Sequence, residues 1–332
     1  MLRANILVGI VLASALPAAG GEDLPLHGAT VLHFASVEEG REALRTEDRF
    51  TDAVSQFDLE SRLGKRGASK EELLKFAADQ VRPWPEDLQT KIAAATAKVR
   101  EQLQPFSVPF PKRILLIHTT GKEEGNAAYC RRHAIILPPN TLRKNVEQVE
   151  RLLAHELFHV LSSHNDKLRR ELYGVVGFRE CPPIALPENY RARKLTNPDA
   201  PQINNVIELE LKKGEAKVLA TPLLYASVDR YDPDKGGSFF KYLKFALMVV
   251  RAKDDCFEPI VKDGELELLS PRETPDYFRQ IGRNTRYIIH PDEILADNFV
   301  WMVRGKKELS NPEIVEKMSR LFKQEQQEQD EP

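Results

Sequence analysis

The residues best spaced to do chemistry together are His155, Glu156 and His159, in the run Ala154-His-Glu-Leu-Phe-His-Val160. Neutral imidazole is the commonest protein ligand for divalent transition metals. On an α-helix, positions i and i+4 lie one above the other on the same face. His155 and His159 can therefore converge on one tetrahedral cation, at Zn–N distances of about 2.0–2.1 Å. Glu156 sits about 100° further round the helix, beside the cation rather than on it. From there its carboxylate can take the proton of a water whose pKa the cation lowers to about 7. Those residue types in that order describe metal-assisted hydrolysis.

The element carrying them must be a helix, and the flanking sequence predicts one from Asn145 to Ser163. Val149, Leu152, Leu153, Leu157, Val160 and Leu161 recur at three- and four-residue spacings, forming one broad apolar face. Two imidazoles and a carboxylate on so apolar a helix are costly to bury without partners, and a metal ion satisfies all three. A catalytic zinc takes three protein ligands and keeps one position open. His164 and Asp166 are near enough in sequence to be the third. The metzincin pattern, however, would need Gly at 162 and His at 165, where the chain has Ser162 and Asn165.

A more distant run, Tyr287-Ile-Ile-His290-Pro-Asp-Glu293-Ile-Leu-Ala-Asp297, offers a better candidate. Pro291 suits a first helical turn, and Asp292 and Glu293 are favourable near the positive end of the helix dipole. Glu293 and Asp297 are again i and i+4. Glu293 can ligate, and Asp297 can accept the remaining N–H of a ligand histidine, as carboxylates beside metal-bound imidazoles do. The plain alternative is a helix start with a solvated acidic face.

With both motifs in hand, the chain resembles the gluzincins, the thermolysin-like zinc peptidases with HExxH on one helix and Glu-x-x-x-Asp on a second. The resemblance implies that His155, His159 and Glu293 hold one Zn²⁺ per chain, that Glu156 is the general base, and that Asp297 orients a histidine. It also implies an upstream strand whose edge takes substrate backbone as an added strand, and Ala127–Leu137 stands in the right place. The resemblance covers about Arg113 to Arg304 and departs from the family in one respect. Gluzincins place the second motif soon after the first, whereas here 293 − 159 − 1 = 133 residues intervene. Hydrolysis also needs a donor to the developing oxyanion. Tyr287 is the candidate, with His290 and Tyr225 as alternatives.

Around these motifs, 332 residues suffice for one large domain or two modest ones. A formal net charge of −2 excludes a bulk basic footprint for nucleic acid. Arg3, the apolar Ile6–Leu16 and the small residues of Pro17–Gly21 predict a signal peptide over residues 1–20. Its core is too short to span a bilayer, so the product is expected to be secreted or periplasmic, with no stable membrane anchor. Three cysteines, Cys130, Cys181 and Cys256, allow at most one disulfide and include no C-x-x-C pair.

Residues 21–112 are predicted to be a helical N-terminal region, with Ser69 and Glu72 spaced as a capping box. Residues 113–323 form the expected metallopeptidase domain, beginning with a buried strand at Arg113–His118 and a second at Ala127–Leu137. Within it, residues 182–270 are expected to be a β-rich insertion. Two hairpins are predicted there, Val206–Leu211 with Ala216–Thr221 about Lys213-Gly214, and Phe257–Val261 with Glu265–Leu269 about Asp263-Gly264. Phe239–Val250 reads equally as strand or helix. Residues 324–332 are expected to be a disordered polar tail.

The expectation is an α+β, zincin-like fold bearing a secreted zinc peptidase that acts on peptide or protein, an endopeptidase by default. The alternatives are a non-catalytic exported binding protein derived from a peptidase and a metal-dependent amidase of cell-wall peptides.

Overall fold

A computed structural model describes residues 23–211 and 217–330. The expected signal peptide and the Lys213-Gly214 turn lie outside them. The described residues form a mixed α+β fold with several sheets. Strands β1 (Leu24–His27) and β2 (Thr30–Phe34) come first, followed by α1 (Val37–Arg45), α2 (Arg49–Ala53), α3 (Gln56–Leu63), α4 (Lys70–Asp79) and the long α5 (Glu86–Leu103). Ser36, Asp48, Ser55 and Ser69 start the first four helices, each side chain accepting the backbone N–H three residues on. The expected Ser69–Glu72 capping box is present.

Strand β3 (Arg113–His118) then pairs in parallel with β2, from Val31 opposite Arg113 to Phe34 opposite Leu116. The boundary drawn at 112 therefore passes between two neighbouring strands of one sheet, and the N-terminal region is strand as well as helix. Strands of four and five residues are too short to give a periodic signal. Next come β4 (Tyr129–Arg131) and β5 (Ala134–Leu137), where one strand was expected over Ala127–Leu137. The chain reverses at Arg132, which adopts φ +54 without the glycine that would have marked the turn. Sheet order is β1-β2-β3-β5-β4, leaving antiparallel β4 at the edge.

Helix α6 (Val146–His164) begins at Asn145, whose side chain accepts from Gln148 N, and α7 (Asp166–Val175) follows at once. Beyond β6 (Phe178–Glu180) and α8 (Glu188–Arg193), the second sheet is built from β7 (Asn205–Glu210), β8 (Lys217–Ala226), β9 (Leu243–Lys253) and β10 (Cys256–Pro259). Its order is β10-β9-β8-β7-β6. The first hairpin has the expected partners, with Ile207 opposite Ala220. The ambiguous run at 239–250 is strand from Leu243.

The second expected hairpin is only its tip, β11 (Val261–Lys262) with β12 (Glu265–Leu266), turning on Asp263 and Gly264 at φ +51 and +83. Its flanks differ: β10 and β13 (Leu268–Leu269) both pair with β9. Helices α9 (Pro275–Ile281), α10 (Pro291–Val303) and α11 (Pro312–Asp330) close the chain. Helix α11 continues past Gln324, where a disordered tail was expected; Gln and Glu are good helix formers.

One hydrophobic cluster joins both sheets to the helices. It includes Leu116 and Ile135 of the first sheet, Leu157 and Phe158 of α6, Phe299 of α10, and Ile207 and Leu247 of the second sheet. Residues 182–270 thus share the main core. Phe158 meets Phe299 at a ring separation of 5.6 Å, fixing α6 against α10. Full burial of each such side chain contributes about 1.5–3 kcal/mol, ample to hold polar groups between the two helices.

Candidate metal centre

Helices α6 and α10 bring His155, His159 and Glu293 together. The Nε2 atoms of His155 and His159 lie 3.2 and 3.4 Å from the same oxygen, Oε2 of Glu293. Neighbouring ligands in a tetrahedral site with bonds of about 2.0–2.1 Å stand about 3.3 Å apart. The three ligand atoms are therefore spaced to hold one metal ion. His159 Nε2 is buried and makes no hydrogen bond within the protein, the orphan a metal would satisfy. Asn197 Nδ2 donates to the other Glu293 oxygen at 2.5 Å, leaving Oε2 for the centre.

Each imidazole is oriented from behind. His155 Nδ1 faces Asp297 at 3.3 Å, and His159 Nδ1 faces Asp292 at 2.6 Å. Because ionised carboxylates only accept, each Nδ1 carries a proton, and each Nε2, turned toward Glu293, is the atom that gives up its proton when a metal binds. Further donors fix the carboxylates: Ser162 and Tyr173 to Asp292, Thr285 to Asp297. Burial opposes charge on His155, but Asp297 and Glu293 outweigh it and lift its pKa to about 9. Burial likewise opposes charge on His159, and Asp199 and Glu293 hold its pKa well above the usual range. Glu293, though buried, is held far below the ordinary carboxylate range by the two imidazoles.

Glu156 is 3% exposed, next to the convergent atoms. Burial pushes its pKa up, with His155 and His159 pulling against it. Cys130 Sγ donates to Glu156 Oε2 at 3.3 Å and to its backbone oxygen at 3.2 Å. Asp199 completes a second group with Cys130 and Glu156, their ligand-type atoms all within 4.8 Å of one another. Its carboxylate accepts the Cys130 N–H at 2.6 Å, an amide on the free side of β4.

Tyr287 stacks on His155 with centroids 6.2 Å apart. Glu293 above all, then burial and the other carboxylates, raise its pKa, so the hydroxyl keeps its proton. The remaining candidates fall elsewhere. His164 contacts His133 at 3.1 Å, and Asp166 pairs with Arg169. Tyr225 packs against Tyr190. His290 caps α10 through Nδ1.

The sequence marked Asp292 only as an acid near the helix dipole and Cys130 only as one of three cysteines, and it did not single out Asn197 or Asp199 as site residues. No spacing ties any of them to the histidines; only tertiary contact does. All three cysteines are free. No described helix is long and apolar enough to cross a membrane. No family model, curated protein or solved structure matches the chain.

Proposed function

We propose that the chain is an exported zinc peptidase of gluzincin type, with a zincin-like fold, in which His155, His159 and Glu293 hold the ion. The observation carrying this is the meeting of both Nε2 atoms at one Glu293 oxygen, at tetrahedral-edge distances, with each Nδ1 on a carboxylate. Two nitrogens and one carboxylate oxygen are a donor set that suits zinc and leaves one position open. When bound, the ion would acidify water and polarise the scissile carbonyl.

The chain's own residues do the rest. Glu156 takes a proton from the attacking water as oxygen bonds to the carbonyl carbon. It returns that proton to the amide nitrogen as the C–N bond breaks. Its burial keeps bulk water from competing for the carboxylate, and its raised pKa suits a base that must also act as an acid. Tyr287, protonated beside His155, donates to the oxyanion. The substrate is peptide or protein.

The test is Glu156→Gln. The variant should retain one zinc per chain after dialysis, by elemental analysis, while cleavage of casein or a peptide library falls about 10²–10⁴-fold. Zinc retained with no Glu156-dependent cleavage would favour a binding protein instead. Digestion of peptidoglycan but not of peptides would favour the amidase.

A further inference from the structure

Beside the metal centre is a cavity of about 730 Å³, bordered by the β4–β5 turn, the end of α6 and Pro198–Gln202. Ser162, Tyr173 and His290 are in its wall, and the first two hold Asp292, which holds His159. A group seated against Ser162 or Tyr173 is linked through Asp292 to His159 of the candidate centre.

The charges in the wall are unequally satisfied. Its acids are engaged: Asp48 with Arg131 at 2.8 Å, Glu47 with Lys70 at 3.2 Å, and Asp199 with the Cys130 N–H. Arg113 and Arg169 are paired as well, with Glu39 and Glu180. Arg49 and Arg132, both exposed, make no side-chain ion pair or hydrogen bond among the described residues. His290 adds a buried donor. Its Nδ1 accepts the Asp292 N–H, so Nε2 carries the proton, and that atom is without a partner. Burial keeps the ring neutral, with a pKa down to about 4. Two free guanidinium groups and an unanswered N–H face no free acid in this wall, and what they lack is an anionic acceptor.

We propose that this cavity is a subsite for a carboxylate of the substrate, borne by an Asp or Glu side chain or by a free C-terminus, with Arg49 and Arg132 as its cations. The inference rests on the peptidase function for the neighbouring centre. Arginine matches a carboxylate with two parallel donors, and both arginines lie away from the metal ligands, so they set preference rather than rate of chemistry.

The experiment uses the full chain, as wild type and as Arg49→Ala/Arg132→Ala, both substitutions being at exposed positions. Fluorescein-labelled peptides are made in pairs, Glu against Gln at each position around the scissile bond, and with free or amidated C-termini. Wild type should cleave one charged peptide with kcat/KM about fivefold above its neutral twin, the scale of two solvent-screened pairs. The double variant should bring that ratio near one and leave the neutral twin unchanged. A preference confined to the Glu/Gln pairs identifies a side chain; one confined to the free/amidated pairs identifies the terminus.

The same peptides are titrated into Glu156→Gln, with binding followed by anisotropy. If wild type cleaves nothing, yet charged peptides bind more tightly in an Arg49/Arg132-dependent way, the peptidase function fails and the subsite stands. Equal binding and equal cleavage of charged and neutral twins, or a preference that survives the double substitution, overturns the subsite.

Discussion

Each histidine of the candidate centre has its own carboxylate, and the two pairings differ in length: 3.3 Å for His155 with Asp297, 2.6 Å for His159 with Asp292. The shorter one is also the more deeply buried and is held by Ser162 and Tyr173. Asp292→Asn, which keeps the volume and removes the charge, should weaken metal affinity about 10–100-fold, measured by competition with a chelator. The same residues fix a pH dependence. His155 in the metal-free chain has its pKa raised from 6.5 to about 9, so the folded state binds the proton more tightly than the unfolded chain. Its contribution to metal-free stability is full below pH 6.5 and is lost as pH rises through about 9. A metal displaces that proton. Affinity should climb between pH 6.5 and 9, by about tenfold per unit for each proton released; calorimetric titration in buffers of different ionisation enthalpy measures the release. An affinity flat across this range would mean that His155 is not a ligand.

At the scale of elements, α10 supplies three acids within two turns, and the pairing of Phe299 with Phe158 sets their height against α6. Strand β4 borders the same centre through Cys130, and among the described residues the one hydrogen bond on its outer edge runs from Cys130 N–H to Asp199. An extended peptide added to that edge would need the amide Asp199 now occupies. Asp199→Ala should lower KM for such a peptide about fivefold, the worth of one hydrogen bond. An unchanged KM in steady-state kinetics would place the substrate elsewhere. Helix α6 was legible in the sequence because a 3.6-residue apolar period repeats over several turns, and the start of α10 because Pro291, Asp292 and Glu293 suit a first helical turn. Strands β4 and β5 were read as one, since no glycine or proline marks the turn between them, where Arg132 is left-handed.

Across the molecule, a buried ion group ties three distant segments together. Arg62 of α3 reaches Asp58 at 2.6 Å, Glu124 after β3 at 2.8 Å, and the backbone oxygen of Thr196 at 3.0 Å. Thr196 in turn gives both its N–H and its hydroxyl to Asp58, which places Asn197 against Glu293. Burial pushes the Glu124 pKa up to about 7, even with Arg62 beside it. Arg62→Ala would leave two carboxylates enclosed without a cation, and breaking a buried pair in this way costs about 3–5 kcal/mol. Thermal unfolding should show a loss of that size; a change below about 1 kcal/mol would mean that the group is solvated. The N-terminal helices are thus part of the frame that holds the candidate centre.

The i,i+4 pairs, His155 with His159 and Glu293 with Asp297, followed from the sequence alone, because helix geometry is local and fixes which neighbours share a face. So did the two helices bearing them. Tertiary packing decided which carboxylate serves which imidazole, that Asn197 holds Glu293, and that Asp199 lies beside Glu156. It also joined the front strands to β3 in one sheet. His155 and Glu293 are 138 positions apart. No period or spacing encodes a meeting over that distance; it comes from how apolar faces close on one another, which only the folded chain defines.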